Sequence, residues 1–272
     1  MRTAEWITLI FFSFFILVSW LRSLKRRARI AVAAIGATGV ILIMCAQLAH
    51  RFLAPIAVSV ARDWLPAMLL PMMYWQAGCF AVTPNDSFQR ALQKLDDRLL
   101  GNWMKSLTTK LRYRWIFTSL ELAYLACYLL VPLGLGVLYL THTRRYADEY
   151  WLVVLSATYP CYAFTAFVQT LPPRLFEADS VPALSSKVRT FNLWVVRRVT
   201  TCMNMFPSGH VTATLGGSLV LLRHVPEVGW VFVLTSIGIA LGAVTGRYHY
   251  TADVVLAAVM VIVVYSLERL LT

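Results

Sequence analysis

Residues 228–271 read VGWVFVLTSIGIALGAVTG, then RYHYTAD, then VVLAAVMVIVVYSLERLL. Two apolar runs, 228–246 and 250–271, flank a short polar island that holds Arg247, His249 and Asp253. The first run has no charged residue, and the second has none from Val254 to Leu267. Uncharged runs of roughly 20 residues cross the ~30 Å hydrocarbon layer as helices. The polar island therefore joins two spans at one membrane face.

The same pattern recurs outward from this pair. Apolar runs at about 5–21, 30–50, 64–83, 115–140, 150–171 and 209–223 read as further spans, giving about seven or eight in all. The run at 5–21 lacks a charged leader and a small-residue cleavage site, and Arg22, Lys25, Arg26, Arg27 and Arg29 follow it. It is expected to be a retained span with a stop-transfer signal. Pro66 and Pro71 allow the run at 64–83 to be a full, broken or tilted helix. Between 86 and 114, Phe88, Leu92, Leu95 and Leu99 recur at helical spacing, with Arg90, Lys94, Asp96, Asp97 and Arg98 at the other positions. This segment reads either as an interfacial helix or as a short soluble helix packed on the bundle. No repeat or linker divides the chain, so the fold class is an all-α, polytopic transmembrane bundle.

Composition agrees. Of 272 residues, 59% are hydrophobic and 14% charged, with mean hydropathy +0.65; soluble domains carry about 25% charged residues. This excludes a disordered chain, a collagen-like fibre and a disulfide-stapled domain. The net charge of +12 fits basic loops on lipid headgroups rather than nucleic-acid binding. Cys45, Cys79, Cys127, Cys161 and Cys202 have no metal-ligand spacing, and neither a metal nor another cofactor is expected. Sidedness from charge depends on the third run. If it does not fully cross, the basic residues at 22–29 and Arg144–Arg145 share the cytoplasmic side; if it crosses, the basic segment 86–114 becomes cytoplasmic and Arg144 and Arg145 do not.

Alternation of spans brings Arg174, His210, Arg247 and His249 to one face. His249 and Asp253 are four apart, so a carboxylate can hold one imidazole nitrogen and leave the other as nucleophile or base. Pro207-Ser208-Gly209-His210 opens a helix: Ser208 can cap it, Gly209 permits close approach of the backbone, and free N–H groups suit a phosphate. His210 is placed to protonate a leaving oxygen, and Arg174 and Arg247 offer forks for phosphate oxygens. Glu121 is placed either near the interface or paired inside the bundle. Glu177 and Asp179 are candidate partners of a site arginine. Asp63 is expected to pair locally with Arg62, and His50, His142 and His224 to be interfacial. A transporter or flippase for anionic headgroups would need charges along several spans; here the ionisable residues gather at one end.

These pieces resemble the type 2 phosphatidic acid phosphatase superfamily. Pro207–His210 matches its second motif in full, and His249 with Asp253 matches its third. Arg247 stands two before the histidine, whereas the commonest form has Ser-Arg six before it, a place held here by Ala243. Pro172-Pro173-Arg174 stands for the first motif, whose Lys has no counterpart. The His-Tyr-Thr-x-Asp-Val motif, Cys202 before His210 and Thr170-Leu171-Pro172 look more like the sphingomyelin and inositol-phosphorylceramide synthase branch. The resemblance implies a six-helix catalytic core at 115–272, with N-terminal membrane helices and the amphipathic segment at 1–114. It also implies a lipid phosphate substrate, a phosphohistidine on His249 oriented by Asp253, acid–base work by His210, and oxyanion binding by Arg174, Arg247, Ser208 and Gly209 without a metal. It favours a site on the periplasmic, extracellular or lumenal face.

Overall fold

A computed structural model of the protein describes residues 1–81, 84–108, 114–176, 186–201 and 203–271. Among them the chain forms α1 (Thr3–Leu21), α2 (Arg26–Leu48), α3 (Pro55–Gly78), α4 (Asp86–Thr108), α5 (Arg114–Leu125), α6 (Cys127–Leu140), α7 (Ala147–Thr165), α8 (Lys187–Val199), α9 (Gly209–His224), α10 (Pro226–Thr245) and α11 (Thr251–Leu271). The all-α reading holds. Five helices, α1, α2, α3, α10 and α11, are each long and apolar enough to cross a membrane, and α5 with α6 make a sixth if counted as one bent span.

The centre of the bundle is α7 and α9. Helix α9 packs on α6, α7, α10 and α11, and α7 also meets α1 and α3. Both were expected to be ordinary spans, yet neither is among the helices that pass on length and apolarity. Their position explains this. Thr158, Thr165, Thr212, Thr214 and Ser218 are buried by protein, so these two helices need not be dissolved in lipid. Helix α9 is also short, since 16 residues rise only ~24 Å.

Other boundaries differ from expectation for local reasons. Helix α3 begins at Pro55 rather than near 64, because proline suits a helix's first turn; Pro66 and Pro71 lie inside it without ending it. The expected single span at 115–140 is bent by 58° at Ala126. The segment at 150–171 leaves the helix after Thr165, and Thr170 pairs instead with Asn204 in an isolated antiparallel bridge. The polar stretch 172–207 contains α8, capped by Ser186, whose side chain accepts from Arg189 N. Gly242 lets α10 close on α5, for a Cβ there would lie 2.4 Å from the Leu120 carbonyl oxygen.

Contacts assign the ends. Arg22 lies over the Phe167 ring at 6.0 Å, Asn85 N donates to Gln169 O at 2.7 Å, and Trp75 Nε1 donates to Val199 O at 3.1 Å. These gather the α1–α2 turn, the end of α3, the start of α4 and α8 at the end that holds Arg174 and His249. At the distal end Asp63 pairs with Arg2 and Arg144 and accepts from Tyr139 Oη at 2.5 Å. The expected Arg62–Asp63 pair is thus replaced. Arg62 instead takes both Glu5 oxygens at 2.7 Å, because residues adjacent on a helix point in different directions.

Candidate active site

The polar island leaves α10 at Thr245 and turns through Arg247, whose φ is +59°. Tyr248 N and His249 N both donate to Ala243 O, at 2.8 and 3.0 Å, which folds the island back over the end of α10. Helix α11 then starts at Thr251 and places Asp253 in its first turn.

His249 Nδ1 lies 3.1 Å from Asp253 Oδ2. That oxygen also accepts from Asn204 Nδ2 at 2.7 Å and Tyr250 N at 3.1 Å. A carboxylate only accepts, so in the neutral imidazole Nδ1 carries the proton and Nε2 the lone pair. Asp253 is fully buried; donors on its Oδ2 offset the cost of a carboxylate there.

The ring of His210 stands 6.1 Å from that of His249, centroid to centroid, at 79°. Tyr124 and Tyr128 meet His210 edge-on at 6.0 and 5.4 Å. Ser208 caps α9 as expected, with its side chain accepting from Val211 N, and its own N donates to the backbone oxygen of Asp253 at 3.2 Å. The start of α9 is thereby tied to the start of α11. Gly209 has a structural reason to lack a side chain, since a Cβ would lie 2.5 Å from Tyr162 Cε1.

Tyr124, Arg174, Gly209, His210, Tyr248 and His249 are among the residues lining a polar cavity of about 30 Å³. Arg174 N donates to Arg247 O at 3.0 Å, and its guanidinium lies 5.4 Å from the Tyr248 ring centroid. Among the described residues it has no carboxylate partner. Arg247 sits differently. It does not line the cavity; its Nη1 is 2.8 Å from Asp96 Oδ2 on α4, while Asp96 Oδ1 accepts from Thr251 N at 2.8 Å. Asp96 therefore faces the bundle and not solvent.

Glu121 resolves to a buried hub. Its oxygens accept from Arg189 Nη1 at 2.6 Å, Asn192 Nδ2 at 2.6 Å and Tyr248 Oη at 2.7 Å. Tyr248 stacks on Tyr124 at 4.1 Å and 5°. Burial, with the Glu121 carboxylate second, pushes the Tyr248 phenol far above its ordinary range, so it remains a donor. Glu177 and Asp179 lie outside the described residues, as does Cys202.

A second cavity of about 170 Å³ adjoins the first. Leu70, Pro71, Val131, Pro132 and Ala213 give it an apolar lining, and it shares Tyr74, Tyr162, Gly209 and His210 with the polar cavity. The hydroxyl of Tyr128, also in its lining, is buried with no hydrogen-bond partner among the described residues.

Sequence reasoning singled out neither Asn204 nor Asp96 as a site residue. Asn204 carries no motif signal. Asp96 had one: Gln89, Leu92 and Asp96 recur at three and four, and all are buried. Polar residues on that stripe point to partners inside the bundle.

A family model described as the PAP2 superfamily matches residues 90–267. No curated protein and no solved structure matches the chain.

Proposed function

From the premise that the chain belongs to the PAP2 superfamily, whose members hydrolyse or transfer phosphoesters, we propose that it cleaves a lipid phosphate ester through a phosphohistidine on His249. The observation that carries this is the pair of imidazoles 6.1 Å apart, one of them held by a buried carboxylate. His249 Nε2 attacks phosphorus as the P–O bond to the lipid breaks, and His210 gives its proton to the departing oxygen. In the second half an acceptor O–H returns that proton to His210. Its oxygen bonds phosphorus and the P–N bond breaks. Arg174 and the N–H groups at the start of α9 take the charge that develops on the equatorial oxygens. Arg247 acts from behind, with Asp96 fixing the turn that carries His249.

The apolar cavity beside His210 supports a lipid partner, and the lone Tyr128 hydroxyl inside it suits a lipid alcohol. Transfer of the phospho-headgroup to such an alcohol, as in the sphingolipid synthase branch, is the finer form of the proposal. The test is product analysis by mass spectrometry with purified protein in mixed micelles, using defined lipid phosphates with and without ceramide or diacylglycerol. Turnover of one lipid class, diverted from free phosphate to a new phospholipid by the alcohol, is the expected result. No turnover together with movement of anionic lipid across vesicles would replace the proposal with a flippase.

A further inference from the structure

Tyr128 lines the larger cavity beside His210, which both cavities share. Its ring meets the His210 imidazole edge-on at 5.4 Å. Its hydroxyl is buried without a hydrogen-bond partner among the described residues. A buried hydroxyl left unpaired is destabilising, and a partner that arrives with a ligand removes that cost. Leu70, Val131 and Ala213 give the space around it a hydrocarbon wall. The cavity also stands against the lipid: Met68 on α3 and Leu129 and Leu133 on α6, the two helices that supply most of its lining, are exposed.

We infer that this cavity seats a lipid alcohol, and that Tyr128 is the specificity-determining residue that selects the alcohol over water as acceptor of the phosphoryl group. Its chemistry rests on the phosphohistidine reading, whereas the seat rests on the cavity and its lone hydroxyl. The alcohol oxygen accepts from Tyr128 Oη and donates its own proton to His210; a hydroxyl can do both and keep a lone pair for phosphorus. In the transfer step the alcohol O–H bond breaks as its oxygen bonds phosphorus, and the proton passes to His210. The P–N bond breaks, and its electron pair returns to His249 Nε2. Water could make the same two hydrogen bonds. The hydrocarbon wall offers nothing to its second hydrogen, whereas an alkyl chain fills that space and gains by burial.

Tyr128→Phe removes one oxygen and keeps the ring against His210. Purified wild type and variant receive defined lipid phosphates with diacylglycerol or ceramide in mixed micelles, and new phospholipid and free phosphate are measured together. The ratio of phospholipid to phosphate is expected to fall about fivefold in the variant, the scale of one hydrogen bond. An unchanged ratio, or a wild type that forms only free phosphate with either alcohol, overturns the inference. Binding is read separately in His249→Ala, without turnover. Diacylglycerol and ceramide with a diazirine on the acyl chain are expected to label Leu70, Val131 or Ala213. The parent alcohol should displace its probe, and the same lipid with its primary hydroxyl acetylated should not. Labelling outside the cavity by both probes, or equal displacement by the acetate, overturns the inference even where phosphohistidine is found. Labelling as expected with no turnover by wild type strikes the phosphohistidine reading and leaves the alcohol seat standing.

Discussion

At the distal end Asp63 is met by Arg2, Arg144 and Tyr139, while Arg62 and Gln47 Nε2 satisfy Glu5. At the site end Asp253 is met by one imidazole, one amide side chain and one backbone N–H, and Arg174 faces a cavity with no described carboxylate beside it. The two clusters use similar residue types. In the first each buried acid is closed by two or more cationic or hydrogen-bonding partners, which braces α1, α3 and the turn before α7. In the second Asp253 has neither arginine nor lysine beside it and Arg174 has no carboxylate among the described residues, which leaves a guanidinium and an imidazole around an open space. That remainder is what an incoming phosphoryl group would complete.

Substitutions sharpen this contrast, because site-end changes should alter rate and distal changes should alter stability. His249→Ala should lower turnover by at least about 10⁴-fold, the scale on which loss of a covalent nucleophile is felt, with an unchanged melting curve in detergent. Asp253→Asn keeps the shape but offers Nδ1 the wrong partner; kcat should fall by about 10³-fold with KM nearly constant. Asp63→Ala strands Arg2 and Arg144 at the distal end and should cost about 3 kcal/mol of stability, read by thermal unfolding, while activity per folded molecule stays near wild type. A large loss of specific activity there would break the division between the two ends. Asp96→Asn should have the smallest effect, about a tenfold loss in kcat, worth about 1.4 kcal/mol of transition-state positioning. Retention of activity by Asp96→Glu, with the carboxylate restored, would distinguish positioning from bulk.

The legible part of the site was the part built by local geometry. His249 and Asp253 are one helical turn apart, and Ser208 precedes the helix it caps, so spacing alone could place them. Alternation of spans could also bring His210 and Arg174 to the same end. Asn204, Asp96 and Glu121 act across 49, 151 and 127 residues of chain, on Asp253, Arg247 and Tyr248 respectively. Nothing in their neighbourhoods specifies those partners. The 209–223 run matches α9 to within one residue, whereas the 150–171 run overshoots α7, which ends at Thr165. The test of apolarity measures fit to hydrocarbon, whereas α7 and α9 are surrounded by other helices and keep threonines that lipid would reject. The 58° break at Ala126 was equally hidden, since the apolar run passes through it without interruption.

The central claim is that phosphorus passes through a covalent bond to His249. Its most direct test is rapid base quench of the enzyme turning over a ³²P-labelled lipid phosphate, followed by peptide mapping. The account predicts acid-labile, base-stable label on the peptide carrying His249. It also predicts that this label accumulates in His210→Ala if breakdown is slowed more than formation, and that it is absent from His249→Ala. Label on another residue, or full turnover by His249→Ala, would contradict it.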